Sequence, residues 1–193
     1  MALKAGKVPD LPDLACVGMV SKVGAAYLSE KGRYHVLPIE VKGKSGGRDA
    51  TFFFLFQPRW FSKDFEPSSL MAEDPKGSLY GSYRRMCNDE DRVSVLEAIA
   101  GENFSALCEK FDEIGDPTEK DIENVLREFL NGNDCGYIMQ QRIDKDDAGN
   151  KHLTEQYNIQ RFFPLTDAEI QGVVEQSESE KRRKRLVVTW DTV

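Results

Sequence analysis

The residues of this chain best suited to chemistry are cations interleaved with aromatic rings. Lys22, Lys31, Arg33, Tyr34, Lys42, Lys44, Arg48, Phe53, Arg59, Trp60 and Lys63 fall between positions 22 and 63, and Arg142, Lys145, Lys151 and Arg161 extend the series later. Cations neutralise phosphates, and flat rings stack on bases at about 1–3 kcal/mol each. Together they are what an unpaired polynucleotide needs. Large aromatics also fill cores, so Phe53 and Trp60 have two readings: platforms for bases, or packing beneath neighbouring helices.

Other spacings point to other chemistry and break at the next residue. Gly43-Lys44-Ser45 matches the end of a phosphate-binding loop, but the glycine required five positions earlier is Pro38, and a strand follows rather than a helix. Asp144, Asp146, Gly149 and Glu155 match positions of a calcium loop, yet Ala148 interrupts them and the flanks read as strands; a solvated hairpin turn is expected. His35 lies on an apolar strand face and reads as a core residue, and His152 stands apart from it. Cys16, Cys87, Cys108 and Cys135 are widely separated with no Cys-x-x-Cys, which predicts reduced, buried thiols rather than disulfides or zinc. No nucleophile elbow is present. No catalytic residue, metal ligand or cofactor is therefore expected. A metal-dependent nuclease has abundant carboxylates to draw on but no motif to organise them.

Those side chains must be held by an ordinary globular chain. It has 193 residues, 40% hydrophobic and 31% charged, enough for one sizeable core. No apolar run approaches the roughly 18–20 residues of a membrane helix, and the opening segment has no secretory pattern, so a cytoplasmic setting without a membrane partner is expected. Charge is segregated: residues 1–65 carry net +4, residues 66–134 net −10, and residues 135–193 net −1. A basic face on an acidic body can still hold a polyanion, because fields fade within a Debye length of roughly 8–10 Å. Glu119, Asp121, Glu123 and Glu128 read as part of a solvated acidic helical surface turned away from such a ligand.

Strand patterning covers 15–23, 33–42 and 50–58, joined by short turns. Leu37, Ile39 and Val41 share one face with His35, and Phe52, Phe54 and Phe56 must point opposite to Phe53 and Leu55. Pro38 suggests an edge or a kink. Residues 62–83 read as irregular connection. Helical spacing runs from 91 to 114, divided near Gly101, and again from Pro117-Thr118 to Asn131-Gly132, with Thr118 and Asp121 as a capping pair. Strands return at 135–143 and 155–163 around a polar loop. A last helix is expected near 165–174, followed by the basic run KRRKR at 181–185, readable as a nucleic-acid contact, an import signal or a solvated segment.

Three meandering strands, a helical connection and a hairpin form the element order of an OB-fold: a mainly β, five-stranded barrel with an enlarged α insertion between its third and fourth strands. On this order, and on GRYHVLPIEVKG, ATFFFLFQPRWF and EQYNIQRFFP, the chain resembles the phage-type OB-fold single-stranded DNA-binding proteins associated with recombination and replication. The resemblance covers residues 15–163. It implies a non-catalytic protein that coats or presents single-stranded DNA, with replication or recombination proteins as further partners and self-association left open. The ending KRRKRLVVTWDTV departs from the acidic tail many such proteins carry. The expected organisation is a barrel domain over 1–165, its insertion spanning about 66–134, and a C-terminal helix and tail over 166–193. A structural or partner-binding barrel, such as a virion or assembly component, is the alternative, and a nuclease the third.

Overall fold

A computed structural model describes residues 14–44, 47–74, 77, 82–83 and 94–163. Six strands form one antiparallel sheet: β1 (Leu14–Val23), β2 (Tyr27–Leu28), β3 (His35–Lys44), β4 (Ala50–Phe56), β5 (Asp134–Lys145) and β6 (Lys151–Phe163). The pairings run β4–β3–β1–β5–β6, with two-residue β2 continuing the β1 edge of β3. The five long strands curl into a half-barrel. Its two outer strands meet through side chains, Phe52 of β4 standing edge-on to Phe162 of β6 at 5.2 Å between ring centres.

Helices fill the concave side. They are α1 (Pro67–Glu73), α2 (Val95–Ala100), α3 (Phe104–Ile114) and α4 (Glu119–Leu130), with single 3₁₀ turns at Pro58–Phe61 and Gly101–Asn103. The apolar stripe of α4, Ile122, Val125, Leu126 and Leu130, is buried with Leu107 and Phe111 of α3 in the same core as Leu37, Ile39, Phe54 and Phe56. Burying a side chain such as Leu126 fully is worth about 1.5–3 kcal/mol. Thr118 accepts from the Asp121 backbone N–H while the Asp121 carboxylate accepts from the Thr118 N–H, closing the capping box expected from sequence.

Several boundaries differ from expectation for physical reasons. The polar stretch 144–154 continues both strands, pairing Ile143 with Leu153 and Lys145 with Lys151. Its turn narrows to 146–150 because the Asp146 carboxylate accepts from both the backbone and side-chain amides of Asn150. That carboxylate is committed to turn chemistry, as the hairpin reading required. Residues 67–73, read as irregular, form α1 behind Pro67 at its first turn. Tyr27–Leu28 pairs with Val36 and His35 beyond a break in β1. The helix expected at 165–174 and the basic run 181–185 lie outside the described residues. Among the described residues, no helix is long and apolar enough to cross a membrane.

One contact fixes how the helices hold the sheet. Glu123 of α4 is only 4% exposed, and its carboxylate accepts from the Ala26 backbone N–H (3.0 Å), Lys120 and Arg127. Arg127 also donates to the carbonyl of Gly24, and Asn131 accepts from the Val23 N–H. Lys120, opposed by burial and assisted by Ala26 and Arg127, holds the Glu123 carboxyl down to about 2. Glu123 is thus not part of a solvated acidic surface. Glu119 is also engaged, 2.8 Å from His35 Nδ1, so His35 sits at the helix–sheet seam rather than wholly inside the core.

Candidate nucleic-acid interface

Strand alternation divides the expected site residues between two sides of the sheet. In the β3–β4 register, Val36 opposes Leu55, Pro38 opposes Phe53, and Glu40 opposes Thr51. Tyr27 of β2 opposes Val36, and Lys22 and Met19 of β1 oppose Glu40 and Lys42. Directly paired residues share a face. These therefore make one convex surface, with Leu37, Ile39, Phe54 and Phe56 pointing inward.

On that surface Phe53 is 56% exposed and Tyr27 48%, with Leu55 exposed beside them. Two accessible rings thus flank β3 in neighbouring cross-strand rows. Further along β3, Lys42 and Lys44 follow the rings on the same face. Lys42 is exposed and makes no ion pair among the described residues, whereas Lys44 pairs with Asp134 and Lys22 with Glu40. Lys31 and Arg33 are exposed in the turn between β2 and β3, close in sequence to Tyr27. Rings at one end and cations at the other can receive bases and phosphates of one strand.

Residues 47–49, which lead into β4, are held onto the sheet. A Cβ on Gly18 would lie 2.8 Å from the Tyr137 ring and 2.7 Å from the Lys42 carbonyl, and one on Gly43 would collide with the Gly47 backbone. Glycine is required where chains approach this closely. Tyr137 passes beneath Gly18 and donates to the carbonyl of Arg48, while the Asp49 carboxylate accepts from the Gly43 N–H. Burial pushes the Tyr137 phenol upward, keeping it a donor. The Arg48 guanidinium covers the Tyr157 ring at 4.5 Å, so this cation is exposed but already engaged.

Other expected residues go elsewhere. Trp60 is 4% exposed and packs edge-on to half-buried Tyr34 and to Tyr83, which corrects the platform reading of Trp60. The reason is the 3₁₀ turn after β4, which swings Trp60 under the helices while leaving Arg59 outside. Arg59 forms a two-pronged pair with Glu73 of α1, at 2.9 and 2.7 Å. The Glu73 hydrogen bonds raise the arginine, and the same bonds lower the glutamate. Lys63 and Arg59 line a shallow hollow of about 560 Å³ with Asp64, Phe65 and Asp116 at the end of α3. Arg142 and Lys145 belong to β5, and Lys151 and Arg161 to β6; their side chains lie outside the description.

Of the ring candidates, then, Phe53 is accessible, and Tyr27 joins it unforeseen. Tyr27 was hidden because its strand is two residues long and lacks a visible alternation. Cys16 and Cys135 are buried as expected, but Cys108 is exposed on α3, which corrects the buried reading there. Burial pushes the Cys135 thiol up to about 12, and partial desolvation together with Asp112, Glu97 and Glu109 raises that of Cys108. Among the described residues, no three His, Cys, Asp or Glu side chains converge as metal ligands. No known family model matches the chain, and no curated protein matches its sequence.

Proposed function

We propose that this chain is a single-stranded DNA-binding protein on an OB-like barrel, binding through the convex face of β2, β3 and β4. The strand order β4–β3–β1–β5–β6, with the helices inserted between β4 and β5, supports the barrel reading, because it is the neighbour order of a five-stranded OB-fold. The observation that carries the function is the exposure of Phe53, Tyr27 and Lys42 on one face of the sheet, with the exposed cations Lys31 and Arg33 in the turn that follows β2. Bases stack on the rings while cations take the phosphates, a division suited to sequence-tolerant binding. Such a protein coats or presents strands during replication or recombination.

Fluorescence anisotropy with a labelled oligonucleotide of about twenty nucleotides, at low and at physiological salt, tests this. Binding that weakens with salt and prefers single strands to duplex is expected. No binding at low salt overturns it. A partner-binding role is the second reading, favoured by the apolar character of Tyr27, Phe53 and Leu55 on one exposed patch. It predicts stable self-association or capture of a protein partner, abolished by Phe53→Ala, in a chain that ignores oligonucleotides.

A further inference from the structure

A carboxylate stands beside the exposed ring, on the face where phosphate binding alone would exclude one. Glu40 opposes Thr51, and Phe53 opposes Pro38, so Glu40 and Phe53 are diagonal neighbours on the convex side. Such neighbours lie roughly 7–8 Å apart, within reach of a long side chain and of a base stacked between them. The Glu40 side chain is 47% exposed and lies 3.6 Å from Lys22 Nζ. Ser21 donates to the Glu40 backbone carbonyl, and among the described residues nothing donates a hydrogen bond to the carboxylate. Both oxygens therefore remain open acceptors, and Lys22 offsets part of their charge.

An ionised carboxylate accepts hydrogen bonds and cannot donate them. Cytosine offers an exocyclic N4 amino group at the position where thymine offers the O4 acceptor. A base stacked on Phe53 with its C4 substituent toward β3 would therefore be favoured as cytosine. An unpaired thymine presents its O4 acceptor there and meets the carboxylate favourably only by turning its N3–H to it. Repulsion of the wrong partner is a common source of specificity, and here it acts through a carboxylate that Lys22 only partly neutralises at 3.6 Å. We infer that Glu40, set beside the Phe53 platform, gives this face a preference for amino-bearing bases, cytosine over thymine. This inference rests on the strand-binding reading of the same surface. Thr51, exposed opposite Glu40, carries a hydroxyl that can serve either base and so adds reach without choice.

The experiment compares oligo(dC) with oligo(dT) of equal length, at one salt concentration and near-neutral pH, on the full chain and its E40Q and E40A variants. Glu40 is a partly exposed surface side chain, and circular dichroism of each variant checks that the fold is kept. The intact chain should bind oligo(dC) about tenfold more tightly, the discrimination of a single well-placed base contact. In E40Q the ratio should fall to about twofold or less, because an amide offers a donor as well as an acceptor and can serve both bases. E40A should lose the preference as well, with oligo(dT) binding gaining from the removed negative charge. Equal affinity of the intact chain for the two oligomers overturns the Glu40 inference and leaves the strand-binding reading standing. An unchanged ratio in both variants also overturns it. Failure to bind either oligomer removes both.

Discussion

Phe53 and Trp60 lie on either side of the end of β4 and face opposite environments. Phe53 points outward with more than half its surface accessible, whereas Trp60 is sealed among Tyr34 and Tyr83. Their substitutions should therefore separate by assay. Phe53→Ala should weaken oligonucleotide binding about tenfold, in line with the loss of one stacked base, and leave the unfolding midpoint unchanged. Trp60→Ala should cost about 3–5 kcal/mol of stability, read by denaturant unfolding, because it empties a filled part of the core. A Trp60→Ala protein of native stability that binds poorly would contradict this assignment. Glu123 gives a second test at this scale. Its carboxyl is held near 2 in the fold against 4.5 for the free group, so the stabilisation is complete above about pH 4.5 and disappears as pH falls toward 2. The size is about 3 kcal/mol. Glu123→Gln should destabilise the chain by about that much at pH 7, and the gap to the native protein should close on acidification. A gap of constant size from pH 7 to pH 3 would rule out the ion-pair explanation.

The elements show which interactions were visible in the residues and which needed three dimensions. Period-two alternation in β3 and β4 correctly separated Ile39 and Phe54 from Phe53, and Thr118 with Asp121 marked the start of α4. Trp60 was not legible, because a residue just beyond a strand has lost the alternation that would fix its direction. Nor was Glu123, which sits in a stretch dense with carboxylates and differs from its neighbours only in facing Ala26 across the chain. Long-range hydrogen bonds leave no local pattern. The β3–β4 turn makes the same point, since Gly18 and Tyr137 belong to different strands and their contact sets where Arg48 lies. Tyr137→Phe should cost about 1 kcal/mol through the lost hydrogen bond to Arg48 and should speed amide exchange around Gly47. Gly18→Ala, forced against the Tyr137 ring, should cost about 1–3 kcal/mol. Unchanged exchange in Tyr137→Phe would show that the glycine contacts alone hold this turn.

Across the whole molecule, charge and shape divide the same way. The helices pack their apolar stripes into the core on the inner side of the sheet and leave acids of α3 and α4 exposed, among them Glu109, Asp112 and Glu128. Screening within a Debye length of about 8 Å at physiological salt limits what those carboxylates can do to a strand lying over Tyr27, Phe53 and Lys42. Reversing Glu109, Asp112 and Glu128 to lysine should change oligonucleotide affinity less than twofold at that salt. Glu119, Asp121 and Glu123 are unsuitable for the test, since each has a structural partner in His35, Thr118 or Ala26. On the binding side, Lys31, Arg33 and Lys42 have no ion-pair partner among the described residues, while Lys22, Lys44 and Arg59 do. Three phosphates neutralised on a single strand give a slope of about −2 in log K against log salt. Combined charge-to-neutral replacement of Lys31, Arg33 and Lys42 should flatten that slope by about 2, whereas replacing Arg59 and Lys63 should barely alter it. If the acidic reversals instead raised affinity tenfold and the Arg59 and Lys63 changes flattened the slope, the strand would have to run along the helical side, past the hollow at the end of α3.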